Sequence, residues 1–254
     1  MTEQELVHIA PSIFADHAHA DTSKRYGFVP TATIVRQMVE SGFNPIYASE
    51  QHVRKADRIG FQKHMIRFRH EDWKPEKVGD VLPEIVLVNS HDRTSAFTFH
   101  AGIFRLVCSN GMVVADSTIE SIHIRHSGNI LEDVVAGTAA IAKSLPLVFD
   151  EIKRFTSRIL SQDEQLTFAT AGLMLKYDNE EDIPIVAQRV LAAHRQEDVG
   201  DDLWRVFNRV QENLIVGGQR GNVHNYRRTR GVRGIDQGIS LNKGLWELGS
   251  ALLN

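Results

Sequence analysis

The sequence predicts an α+β fold: an antiparallel sheet block at about residues 60–127, packed on one long helix and followed by a helical C-terminal half. Three observations predict it. Residues 61–70 and 118–126 alternate between apolar and polar side chains, the period of a half-buried strand. Asn110-Gly111 stands between two apolar runs and suits a tight hairpin, because both turn positions take positive φ. From Leu131 the apolar spacing changes to three and four and stays helical almost to the C-terminus. Strands grouped first and helices after them indicate α+β rather than alternating units.

Residues 1–30 show little periodicity and read as an arm or irregular cap, with His17 and His19 within it. A helix follows from Thr31 or Thr33, with Ile34, Met38 and Val39 on one side and Gly42 as its stop. In 61–70, Ile66 and Phe68 face one way and Lys63, Arg67 and Arg69 the other. Glu84–Asn89 is a short apolar strand, and Ser90–Thr94 has the composition of a loop. Ala96–Val107, Met112–Ala115 and Thr118–His126 complete the strand block. The long helix from Leu131 is the natural cover for its apolar face. Pro146 should kink or break that helix. Ser161 and Glu164 form a capping-box signature for the next one. Further helices are expected near Pro184, from Asp202 to Gly217-Gly218, and from about Ser240. The chain divides into 1–160, with the arm, sheet and covering helix, and a helical part, 161–254, which carries a basic Gly/Arg segment at 217–243, and the two are expected to form one compact unit. Glu180-Glu181-Asp182 is the other candidate boundary.

Composition narrows the function classes. The chain has 254 residues, 42% hydrophobic and 24% charged, which suits a soluble globular protein. No apolar run reaches the roughly 20 residues of a membrane span. The acidic start, Met1–Glu5, is unlike a signal peptide, so a cytoplasmic location without membrane contact is expected. A single cysteine, Cys108, excludes an intrachain disulfide and any multi-cysteine metal site. The net charge of −3 argues against coating nucleic acid by bulk positive charge and leaves room for local basic patches.

Two such patches stand out. Lys63, Arg67 and Arg69 on one strand, and Arg125 with His123 on another, are expected to share an exposed sheet face. Between 220 and 243, Arg220, Arg227, Arg228, Arg230, Arg233 and Lys243 are interleaved with glycines, with Tyr226 nearby and Asp236 the only acid. The planar arginine fork binds phosphate through two oxygens, and Tyr226 could stack on an unpaired base. The competing reading pairs these arginines with Glu180, Glu181, Asp182, Asp201 and Asp202.

No phosphate-binding Gly-x-x-x-x-Gly-Lys loop, no Gly-x-Ser-x-Gly elbow and no His-Glu-x-x-His occurs. Twelve histidines keep a metal site open, with His91, Asp92 and His123 as the ligands to examine. Cys108 reads as a packed cysteine, since no base is identified beside it.

Asn89-Ser90-His91-Asp92 and Gly102-Ile103-Phe104-Arg105 running into Cys108-Ser109-Asn110-Gly111 resemble a family of unknown function encoded on phages, prophages and plasmids, the YfjQ/YafZ-like prophage proteins. Arg25–Thr31, Lys63–Arg69 and Arg228–Val232 extend the likeness over nearly the whole chain. The resemblance implies a mobile-element setting and no particular activity. The order of several strands followed by a long helix is also similar to the core of single-strand annealing recombination proteins, an analogy of topology alone.

The expected function is therefore binding of single-stranded DNA and promotion of strand annealing, without a cofactor or nucleotide hydrolysis, by a homo-oligomeric ring or filament. Two other readings stand beside it: a metal-dependent nuclease or hydrolase, and an interaction protein that blocks a host defence factor.

Overall fold

A computed structural model describes residues 1–23, 26–73, 81–105, 112–113, 122–124, 130–221 and 228–253. The fold is α+β, with an antiparallel sheet in the N-terminal part and helices mostly in the C-terminal part. The chain forms two compact units. One holds Met1–Val113 and Thr118–Leu145, and the other holds Val114–Ser117 and Pro146–Asn254. The units part at Leu145/Pro146, where the sequence reading drew its division at 160/161.

In the first unit, α1 (Glu3–Ile9) opens the chain inside the segment expected to be irregular. A capping box starts it: Thr2 Oγ1 accepts from the Glu5 amide, and the Glu5 carboxylate accepts from the Thr2 amide. A 3-10 turn, Pro11–Phe14, follows. Helix α2 (Thr31–Glu40) buries Thr31, Ile34, Val35 and Met38, one face at helical spacing. It stops at Gly42, whose φ of +84° is the left-handed conformation a glycine adopts without a Cβ penalty.

The sheet runs in the order β1 (Phe43–Glu50), β2 (His64–His70), β3 (Val81–Asn89), β4 (Phe97–Arg105), with all pairs antiparallel. Two short strands, β5 (Met112–Val113) and β6 (Ile122–Ile124), both pair with β4, at Gly102–Ile103 and Phe97–Phe99 respectively. Strand β1 was not expected. Pro45 disrupts its alternation, and the ladder slips between Pro45 and Tyr47.

Register separates the two faces. Ile66 and Phe68 of β2 lie beside Leu87 and Ile85 of β3, with Phe97 and Phe99 of β4 beyond them, all fully buried. On the opposite face Val86, Val88, Arg67, Thr98 and His100 are buried, Met65 and Arg69 are half-buried, and Tyr47 of β1 is exposed. Of the exposed basic face expected for this sheet, the β2 side chains do not form one, since Lys63 and Arg67 are buried and Arg69 is half-buried, and Arg125 lies outside the described residues. Strand β3 carries buried apolar residues on both faces, Ile85 and Leu87 on one and Val86 and Val88 on the other, with Glu84 as its one charged residue.

Helix α3 (Ile130–Ser157) carries Pro146 inside it without ending there. Of the kink or break expected at Pro146, the break is not found. In the first unit, Thr138 of α3 is buried with its hydroxyl 3.6 Å from Met38 Sδ of α2.

In the second unit, α4 (Gln162–Lys176) begins at the expected capping box of Ser161 and Glu164. Helix α5 (Leu203–Val216) begins at Asp202, whose carboxylate accepts from the Arg205 amide. The helix expected near Pro184 is instead a series of 3-10 turns, Glu180–Asp182, Ala187–Leu191 and Gln196–Asp198. Helix α6 (Ile235–Ala251) starts earlier than Ser240. Phe155, Phe168, Phe207, Leu214, Leu245 and Trp246 make the core of this unit. The Phe155 and Trp246 rings lie 5.1 Å apart.

Candidate functional site

Two places concentrate polar chemistry, one in each unit. The first grows from sheet register. His64 of β2 sits directly opposite Asn89 of β3, so the last rung of the apolar face is polar. Thr31, the first residue of α2, and Ser12, from the first 3-10 turn, meet that rung. His64, Asn89, Ser12, Thr31 and His91 are all fully buried.

Hydrogen bonds tie these side chains together. Asn89 Nδ2 donates to Thr31 Oγ1 at 2.9 Å, and His64 Nε2 and His91 Nε2 lie 3.0 and 3.3 Å from the same oxygen. A hydroxyl has one proton to give, so the two imidazoles must present opposite roles to it. His64 Nδ1 lies 3.2 Å from the Gln62 carbonyl, which only accepts. Ser12 Oγ, which can donate or accept, lies 3.0 Å from the same Nδ1, so these contacts fit His64 protonated at either ring nitrogen, with His91 taking the opposite role toward Thr31. Burial, with the neighbouring His91, pushes the His64 pKa down to about 3, so the ring is neutral at physiological pH. Asn89 Oδ1 has no hydrogen-bond partner among the described residues.

Asp92, the next expected ligand, is already engaged. Its Oδ1 accepts from the Thr94 amide at 3.0 Å and the Thr94 hydroxyl at 2.6 Å, and its Oδ2 accepts from Arg58 at 3.2 Å. Burial raises its pKa, but these hydrogen bonds outweigh burial and hold the carboxyl below its ordinary value. Arg93 beside it has φ +68°, an unusual conformation for a residue with a Cβ. The Asn-Ser-His-Asp element thus builds a buried scaffold and a tight loop, and among the described residues no group of three metal-ligating side chains includes His91 or Asp92. The backbone of His123 pairs with Thr98 in β6.

The expected sheet cations are in the same unit. Lys63 is buried. Arg67 Nε donates to Glu84 Oε2 at 2.7 Å, and Arg69 Nη2 donates to Glu84 Oε1 at 2.5 Å. Glu84 is fully buried, and Arg67 also lies 5.2 Å from the centre of the Tyr47 ring. Burial raises the Glu84 pKa against the pull of Arg67 and Arg69. Arg67 and Arg69 are consumed in holding this carboxylate. Arg125, Cys108 and Asn110-Gly111 lie outside the described residues.

The second place is the segment after α5. Gly217 and Gly218 take positive φ, +71° and +89°, and turn the chain out of the helix. A Cβ on Gly217 would stand 2.6 Å from the Arg230 carbonyl carbon and 2.7 Å from Gly231 N, so the returning chain passes where a side chain would sit. The Gly218 amide donates to the Thr229 carbonyl and the Thr229 amide to the Gln219 carbonyl, both at 2.8 Å. Arg220 and Arg228 form an antiparallel bridge. Lys176 of α4 donates to the Leu214 carbonyl at 2.6 Å and the Arg230 carbonyl at 2.7 Å. Asn213 Oδ1 accepts from His194 and from Gln219, and Thr229 Oγ1 donates to Gln219 Oε1 at 2.7 Å.

On this base Arg220, Arg228, Arg230 and Arg233 are exposed. None has an ion pair with a carboxylate among the described residues. The acids considered as their partners are used or stand elsewhere: Asp202 pairs with Arg205, Asp201 accepts from Gln165 and Asp182 accepts from Asn179. Lys243 is placed differently, half-buried on α6, where burial lowers its pKa and Glu247 raises it. Tyr226 and Arg227 lie outside the described residues.

A third group escaped the sequence reading. His19, Asp21 and Asp57 bring one ligand atom each to within 4.8 Å of one another. The signal was the alternation His17-Ala18-His19-Ala20-Asp21. Asp57 comes from the 3-10 turn Ala56–Arg58, and no spacing announces it.

Comparison with known proteins places this fold in a family defined by sequence. The chain belongs to the family of the domain of unknown function DUF932, whose model matches residues 18–246. Among its relatives, the UPF0380 protein YafZ of Escherichia coli (strain K12) is 35% identical over 255 aligned positions, which cover 100% of this chain and 92% of that protein. The UPF0380 protein YfjQ of the same strain is equally similar, 35% identical over the same extents. No solved structure matches the chain. No helix among the described residues is long and apolar enough to cross a membrane.

Proposed function

We propose that the protein binds single-stranded DNA through Arg220, Arg228, Arg230 and Arg233 and promotes strand annealing without nucleotide hydrolysis. One observation carries this: Arg220, Arg228, Arg230 and Arg233 are exposed on a hydrogen-bonded turn and are free of carboxylate partners among the described residues. A guanidinium left uncompensated beside glycine-rich backbone is suited to phosphodiester oxygens. The sheet cations take no part in this reading, since Glu84 holds Arg67 and Arg69.

Titration of labelled oligothymidine tests it. Four phosphate contacts on a single strand give a salt slope of roughly −3 on a log–log plot, or about fifty-fold weaker binding at 200 mM than at 50 mM salt. Replacing all four arginines by glutamine should remove most of the affinity and of the slope. No binding by the unaltered protein at low salt overturns the proposal. Mixing complementary strands with and without the protein then measures annealing, which should need no nucleotide.

A further inference from the structure

We propose that Tyr177 is the base-stacking residue of the arginine site and gives that site a preference for unpaired strands. The assignment rests on phosphate binding by Arg220, Arg228, Arg230 and Arg233. Helix α4 ends at Lys176, and Tyr177 is its C-cap, with φ −117° and ψ 127° carrying the chain out of the helix in an extended conformation. The Tyr177 amide donates to the Leu173 carbonyl at 3.0 Å, so the backbone that bears the ring is fixed. The Lys176 ammonium joins this residue to the arginines. It donates to the Arg230 carbonyl at 2.7 Å and stands over the Tyr177 ring, 5.6 Å from its centre. Those two steps are comparable with the span from a phosphate to the base it carries, so a strand held at Arg230 passes within a base's reach of the ring.

The ring is available. Tyr177 is half-buried, and among the described residues no other ring packs on it and its hydroxyl has no hydrogen-bond partner. Every base has a π-face, so stacking on an aromatic side chain tolerates any sequence. It does require a base that is not already stacked on both sides, as it is inside a duplex. Charge acts in the same direction. Asp178, Glu180, Glu181 and Asp182 follow the ring along the chain and are all exposed. Acids this close disfavour a second phosphate backbone, whereas a single strand can keep its phosphates on the arginines and turn its bases to Tyr177.

The test uses the full-length protein and two labelled probes of equal length, oligothymidine and an abasic deoxyribose-phosphate chain. Both carry the same phosphates, and only the first carries bases. Tyr177→Ala should weaken oligothymidine binding at least about fivefold, as for one lost stacked base, and leave the abasic chain within about twofold of the unaltered protein. The salt slope should not change, since no phosphate contact is lost. Tyr177→Phe keeps the ring and should bind oligothymidine as the unaltered protein does. Tyr177→Trp gives a readout without truncation: the fluorescence it adds should be quenched by oligothymidine and not by the abasic chain. Thermal melting checks that each variant is folded. A loss on oligothymidine of less than about fivefold, or an equal loss on the abasic chain, overturns the role of the ring. Binding of both probes with a silent Tyr177→Ala removes the ring and leaves the arginines standing. If the unaltered protein binds neither probe at low salt, phosphate binding fails and the assignment falls with it.

Discussion

Glu84 is a single carboxylate on which two guanidiniums depend. It is fully buried, and it takes Arg67 and Arg69 from the neighbouring strand. Removing one member of a buried pair leaves the other charge in low dielectric, which costs about 3–5 kcal/mol. Glu84→Ala should therefore lower unfolding stability by about that much in urea titrations. Adding Arg67→Met should recover part of it, because the orphaned charge is removed. His64 makes a second prediction. Unfolded, it titrates near its ordinary 6.5; folded, it resists protonation down to about 3. Between those values the unfolded chain binds more protons, so stability falls as the pH drops below about 6.5. The loss from this residue is about 2 kcal/mol at pH 5 relative to neutral pH. His64→Gln should flatten the difference between urea midpoints at pH 7 and pH 5. An unchanged pH dependence would contradict the buried neutral ring.

At the scale of elements, caps and turns do more than propensity. Asp202 closes the first turn of α5 through the Arg205 amide, and its backbone bridges to Ile159. Asp202→Ala should cost about 1–2 kcal/mol, read as a lower thermal midpoint. Gly217 matters for a different reason. Its positive φ and the chain passing 2.6 Å from a notional Cβ make it the point where residues 229–231 pack against the end of α5. Gly217→Ala should displace residues 229–231 and weaken DNA binding more than it lowers stability, a comparison made by titration beside thermal melting. Several elements were legible beforehand: α2 with its glycine stop, the capping box of α4, and α5 between Asp202 and Gly217. Strand β1 was not, because Pro45 interrupts its alternation, and the segment after Pro184 was not, because a favoured first-turn residue does not guarantee enough buried face to extend a helix.

For the whole molecule, the two units carry separate chemistry. The first holds the buried histidine network, and the second holds the exposed Arg220, Arg228, Arg230 and Arg233. The four-arginine variant should therefore lose DNA affinity while keeping the low-pH instability that His64 confers. Unfolding followed at pH 5 and pH 7 in that variant checks the separation. The Asn-Ser-His-Asp element was visible as a motif, but its meaning was not. His64, Ser12 and Thr31 come from far along the chain, and only register and packing bring them to Asn89.

By itself the sequence determined the α+β class, most helices and the arginine-rich turn, because periodicity, capping and local composition act over a few residues. Tertiary structure alone decided which cations are free. Whether an arginine meets water or a buried carboxylate depends on a partner from another strand, and Glu84 stands fifteen residues from Arg69 in sequence. Strand pairing brings that carboxylate to Arg67 and Arg69, while Arg220, Arg228, Arg230 and Arg233 find no carboxylate among the described residues.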